Sequence, residues 1–130
     1  MPKILIVDDE LYIRVLLEQV LEELEDEGVE LIFADNGETA LEIIEAELPE
    51  LVFLDVMMPK ISGFDVCNRA KKVLGLDDVT IILLTAKGQE LDKQKGSDVG
   101  AELYMTKPFN PEDVLAKARS VLGMQTTSSE

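Results

Sequence analysis

Five short apolar runs, separated by segments of helical spacing, constrain the fold of this chain more than any other feature. The runs are 4–7, 29–34, 51–54, 79–84 and 103–105. Runs this short, rich in β-branched and aromatic residues and bounded by turn-forming residues, read as strands buried on both faces of a parallel sheet. Glu30 breaks the second run and marks it as an edge strand.

The intervening segments are amphipathic. Residues 11–27 place Ile13, Leu16, Leu17, Val20, Leu21 and Leu24 on one face and Glu18, Glu22, Glu23 and Glu25 on the other, and Gly28 stops the helix. A shorter helix follows the Asp35-Asn36-Gly37 turn, with Ala40, Leu41, Ile44 and Leu48 inward and Pro49 closing it. Ser62 and Asp65 form a capping box for a third, which buries Val66, Cys67, Ala70 and Val73 or Leu74 and ends at Gly75. The fourth, 89–99, is the weakest: its apolar residues are few and Gly96 lies inside it. Asn110 caps the fifth, Pro111 takes its first position, Glu112 and Asp113 suit its positive end, and Gly123 closes it. Val114, Leu115, Ala118, Val121 and Leu122 face inward.

Alternation of strand and helix predicts an α/β fold, a doubly wound (flavodoxin-like) five-stranded parallel sheet with helices on both faces. The order 2-1-3-4-5 puts the switch point between strands 1 and 3. One domain over 1–123 and a polar tail over 124–130 are expected from the 130 residues.

Composition narrows the chemistry. Histidine is absent, which excludes a Ser-His-Asp triad, a histidine zinc site and a phosphohistidine on this chain. The net charge of −15 argues against direct binding of nucleic acid. One cysteine, no signal-peptide pattern at Met1-Pro2-Lys3 and no membrane-length apolar run set the expectation of a cytoplasmic chain free of membrane. Cys67 lies on an apolar helix face and reads as a core thiol.

The predicted carboxyl ends of the strands carry Asp8, Asp9 and Glu10, then Asp55, Thr85 and Lys107. Close carboxylates raise one another's pKa. A hard divalent cation such as Mg2+ relieves that cost, and it binds a few oxygens while leaving room for phosphate. A lysine and a hydroxyl stabilise a phosphoryl group, and a carboxylate serves as its nucleophile. Taken singly, the acids are ordinary loop residues or caps, with Asp9 able to cap the first helix; together at one rim they point to metal-assisted phosphoryl transfer at Asp55.

The runs Ile4-Leu5-Ile6-Val7-Asp8-Asp9-Glu10, Asp55-Val56-Met57-Met58-Pro59 with Gly63, Leu84-Thr85-Ala86 and Tyr104-Met105-Thr106-Lys107-Pro108-Phe109 resemble the receiver domain of bacterial two-component response regulators, a CheY-like superfamily. The resemblance covers about residues 2 to 123. It implies that Asp55 is the phosphoacceptor, that Asp8, Asp9, Asp55 and the Met57 carbonyl hold Mg2+, and that Thr85 and Lys107 bind the phosphoryl group. It further implies Thr85 and Tyr104 as the switch pair, a cis Lys107–Pro108 peptide, and a kinase-facing patch of Ile13, Arg14, Leu17, Pro108 and Phe109. The implied partners are a sensor histidine kinase or histidine phosphotransfer protein, and an output domain or effector protein. The implied role is a signalling phosphoacceptor that catalyses its own phosphorylation and dephosphorylation. Its phosphorylation would shift the surface of the fourth helix, fifth strand and fifth helix. Met57 and Lys87 would flank the path of hydrolytic water, and an apolar Met57 implies slow loss of the phosphoryl group.

Three rivals share parts of this pattern. A flavodoxin-like cofactor binder would need a first loop that welcomes phosphate, and Asp8-Asp9-Glu10 repels it. A Mg2+-dependent phosphohydrolase with an aspartate nucleophile carries that residue in an Asp-x-Asp arrangement on its first strand. An interaction-only receiver would lack the full set of acids, threonine and lysine.

Overall fold

The structure, a computed structural model, describes residues 2–86 and 100–124. Its strands are β1 (Lys3–Val7), β2 (Glu30–Ala34), β3 (Leu51–Asp55), β4 (Thr80–Ala86) and β5 (Leu103–Lys107). The helices between them are α1 (Leu11–Asp26), α2 (Gly37–Glu47) and α3 (Gly63–Asn68), and the C-terminal helix is Pro111–Leu122. The expected fourth helix, 89–99, lies outside the described residues, as does Lys87. Among the described residues no helix is long and apolar enough to cross a membrane.

The sheet is parallel throughout, in the order β2-β1-β3-β4-β5. This is the doubly wound order expected. Strand residues alternate between two cores, as the two-residue period of a strand requires. Leu5, Val7, Val52, Leu54, Ile81 and Leu83 pack with Ala40 and Ile44 of α2 and with Val66 and Cys67 of α3. Ile4, Ile6, Leu51, Phe53, Ile82 and Leu84 pack with Ile13, Leu17, Leu21 and Leu24 of α1 and with Val114 and Ala118 of the C-terminal helix. Because both faces are covered, β1, β3 and β4 can be apolar at nearly every position. Burial pushes the Cys67 thiol up to about 12, with the nearby Glu102 charge adding to the rise.

Local signals placed most helix ends. Ser62 and Asp65 make the capping box, Asn110 accepts from Glu112 N, and Gly123 closes the last helix at φ 71°. Asp9 does not cap α1; its N-cap is Glu10, without a side-chain bond, and Asp8 Oδ1 accepts the Glu10 N–H instead. Leu48 is not a core residue of α2. It forms the left-handed C-cap at φ 48°, which turns its side chain out to 54% exposure. Neither Val73 nor Leu74 is buried, Val73 being 65% exposed. After Asn68 the chain winds into a π turn over Arg69–Val73, with Leu74 N bonded to Arg69 O. The wider turn rotates the following residues off the core face.

Candidate functional site

Register brings the strand ends level. Val7 pairs with Leu54, Asp55 with Leu84, and Ala86 with Lys107. Asp8 therefore leaves β1 beside Asp55 at the end of β3, and Lys107 closes the rim from β5. These residues lie at the carboxyl ends of the strands, on either side of the point where strand order reverses.

Asp8 is fully buried and Asp55 nearly so, while Asp9 is exposed. One carboxylate oxygen from each of Asp8, Asp9 and Asp55 lies within 4.8 Å of the others, close enough to share a cation. Lys107 Nζ donates to Asp8 Oδ2 at 2.8 Å and to Asp55 Oδ1 at 3.2 Å, with Glu10 at 4.0 Å. Among the described residues one lysine thus balances only part of the charge of the three carboxylates. The donor set is hard, oxygen-only and under-neutralised, which suits a divalent cation such as Mg2+. Asp9, Glu10, Asp55, Met57 and Lys107 line an open cleft of about 410 Å³. A larger cavity of about 510 Å³, lined by Leu48, Glu50 and 75–79, lies at the opposite, amino end of β3 and β4 and has no such pairing.

The electrostatics of Asp55 follow from its burial. Desolvation, reinforced by the charge of Asp8, pushes its carboxyl up to about 6, against the pull of Lys107 and the Met57 N–H. Burial by itself would lower the Lys107 ammonium, but the Asp8 hydrogen bond and the charges of Asp55 and Asp8 outweigh it and hold the group above its ordinary value. Both hydrogen bonds to Asp55 among the described residues fall on Oδ1, from Lys107 and from Met57 N at 3.4 Å. Oδ2 is left open to a reactant.

Thr85 and Tyr104 do not line the cleft. The buried Thr85 hydroxyl donates to Met105 O at 3.5 Å, and Tyr104 is exposed on the edge strand. The Lys107–Pro108 peptide is cis. The expected docking patch does not form as one surface. Ile13 and Leu17 are buried in the core under α1, because their helical spacing is that of the inward face. Arg14 turns inward to Asp8 O at 2.6 Å. Pro108 is exposed, and Phe109 packs against the same core. The large apolar side chains that α1 does expose are Leu11, Tyr12 and Val15.

Two residues matter more than the sequence indicated. Gly63 stands in the sequence only as part of a motif, yet a Cβ there would stand 2.2 Å from Asp55 O. The strand end that carries Asp55 and the start of α3 approach too closely for any side chain. Arg119 is a buried cation in the C-terminal helix, held by Glu23 of α1 and by Glu27, the residue that caps α1 at its C-terminus. Glu23 near the end of α1 and Glu27 just past it, opposite a lone arginine on another helix, were the only hint of it.

Comparison with known proteins agrees with this geometry. A family model described as "Response regulator receiver domain" matches residues 4–119. The chain is 49% identical over 120 residues to the "Probable transcriptional regulator ycf27" of Porphyra purpurea, covering 92% of this chain and 47% of that one. It is 45% identical over 122 residues to the "Alkaline phosphatase synthesis transcriptional regulatory protein PhoP" of Bacillus subtilis, covering 92% and 48%. The chain spans about half the length of the curated relatives it matches. Among solved structures, a putative response regulator from Chloroflexus aurantiacus superposes with a TM-score of 0.83 at 34% identity, covering 95% of this chain and 99% of that one. The chemotaxis protein CheY4 of Vibrio cholerae gives 0.81 at 32%, covering 93% and 98%. With strand order, carboxyl-end acids, family model and relatives in agreement, the chain belongs to the response regulator receiver domain family of two-component systems.

Proposed function

We propose that Asp55 is the phosphoacceptor of this receiver domain and that Asp8, Asp9, Asp55 and the Met57 carbonyl hold Mg2+ beside it. The observation that carries the reading is the shared cleft: three carboxylates within 4.8 Å, with Lys107 spanning Asp8 and Asp55. Of the three, Asp55 suits the nucleophile best. Both Asp8 oxygens are engaged, by Glu10 N and by Lys107, and Asp9 lies on an exposed loop. Asp55 has an Oδ2 with no hydrogen-bond partner among the described residues, and a backbone fixed by the β3 ladder.

The reaction is transfer from a phosphohistidine on a partner kinase or phosphotransfer protein, since this chain has no histidine. Asp55 Oδ2 attacks phosphorus, the phosphorus–nitrogen bond breaks, and the imidazole departs with its electron pair. A bound Mg2+ supplies positive charge to the non-bridging oxygens. Lys107 moves from its carboxylate partners toward the new phosphoryl group, and the Thr85 hydroxyl leaves Met105 O for the same target. Tyr104, next to Met105 on the edge strand, follows that shift. β5 and the C-terminal helix carry the surface an output domain or effector reads. The named relatives are transcriptional regulators about twice this length, which supports such an output.

Label transfer from a phosphorylated histidine kinase tests the reading. Transfer that needs Mg2+ and is abolished in Lys107→Ala is expected. Transfer undiminished by a chelator would contradict the metal assignment.

A further inference from the structure

Arg14 lies in the first turns of α1, and its Nη1 donates to the backbone carbonyl of Asp8 at 2.6 Å. Asp8 is the first residue past the end of β1. Its N–H still bonds to Ala34 O, and its carboxylate is held at Oδ1 by Glu10 N and at Oδ2 by Lys107. The guanidinium supplies the carbonyl's partner where the strand ladder has run out. That carbonyl belongs to the peptide plane joining Asp8 to Asp9, so fixing it also fixes the direction in which the exposed Asp9 side chain leaves the loop. A charged donor to a neutral carbonyl is stronger than a neutral one.

We infer that Arg14 is a positioning residue, holding the Asp8–Asp9 peptide so that both carboxylates and Asp55 each present an oxygen to one divalent cation. This rests on reading the cluster as a divalent-cation site. The role has an opposite-signed alternative. A guanidinium near a cation site repels the cation, so if Arg14 acted through charge alone its removal would tighten binding. If it acts by holding the loop, its removal weakens binding.

Calorimetric titration of Mg2+ into the full chain distinguishes the two, with thermal melts alongside. Arg14→Met keeps the apolar stem and removes the donor. Arg14→Gln removes the charge and is too short to reach the carbonyl, and it carries the same comparison if the methionine variant does not fold. Both are expected to raise the Mg2+ Kd about tenfold, the usual effect of losing a residue that orients a metal ligand. Arg14→Lys, which keeps a long donor, is expected to recover most of the affinity. A Kd unchanged or lowered in Arg14→Met or Arg14→Gln would overturn the inference. Failure of the underlying site is seen separately: the wild type would not bind, or Asp9→Asn would bind as tightly as the wild type.

Discussion

Asp55 bears a charge that the fold makes costly. Its carboxyl is ordinarily near 3.8 and is pushed up to about 6 here, chiefly by burial and then by Asp8. A carboxyl raised on folding favours the folded state while protonated, so the stabilisation Asp55 contributes is fully present below about 4 and is lost as pH rises through about 6. Asp55→Asn removes the buried charge and keeps the shape. It is expected to stabilise the metal-free protein by about 2 kcal/mol at pH 7, with the gain shrinking toward pH 4. Urea melts at the two pH values check this; a variant less stable than wild type at pH 7 would contradict it. Under the proposed function the same desolvated carboxylate is the nucleophile. Met57 bears on lifetime. Its side chain is 64% exposed at the mouth of the cleft and has no strong hydrogen-bonding group to orient a water. Met57→Asn is expected to speed loss of the phosphoryl group several-fold, read as decay of the labelled protein after the donor is removed.

At the scale of elements, two contacts set the frame around the site. Gly63 lets α3 begin directly against the end of β3. Gly63→Ala forces the Asp55 carbonyl aside and is expected to cost about 1–3 kcal/mol, the range for overpacking, while weakening Mg2+ binding; a melt and a Mg2+ titration read the two effects. Arg119 ties the C-terminal helix to α1 through Glu23 and Glu27. Its partners are half-exposed and the arginine is buried. Arg119→Met should therefore be tolerated better than Glu23→Gln with Glu27→Gln, which strands a buried cation. The order of melting temperatures tests this, and the reverse order would contradict it. Element types were legible because period and caps agree locally. The expected core residues that prove exposed share one kind of cause. Leu48, Val73 and Leu74 follow the helical spacing of their segments, but a left-handed cap and a π turn rotate them outward. Such backbone deviations depend on how the next strand is reached, which hydrophobic spacing does not encode.

For the whole molecule, topology explains why so much of the site could be read in advance. A doubly wound sheet collects its strand ends on one rim, so Asp8, Asp9, Asp55 and Lys107 were bound to converge once the order was known. What could not be read was partner choice within the rim. Lys107 takes two acids, the Thr85 hydroxyl points to a backbone carbonyl, and Arg14 turns from an expected outer surface to the Asp8 loop. These are side-chain choices among near neighbours, decided by geometry below the resolution of a motif. The charge of −15 acts on the whole molecule: an acidic surface concentrates divalent cations around the cleft of Asp8, Asp9 and Asp55.

The proposed role of Asp55 is to accept a phosphoryl group with the help of a divalent cation. Intact mass after incubation with a small phosphodonor and Mg2+ tests it most directly, with Asp55→Asn treated alongside. One phosphoryl group is expected on the wild type, none without Mg2+, and none on the variant. Equal labelling of wild type and Asp55→Asn would contradict it.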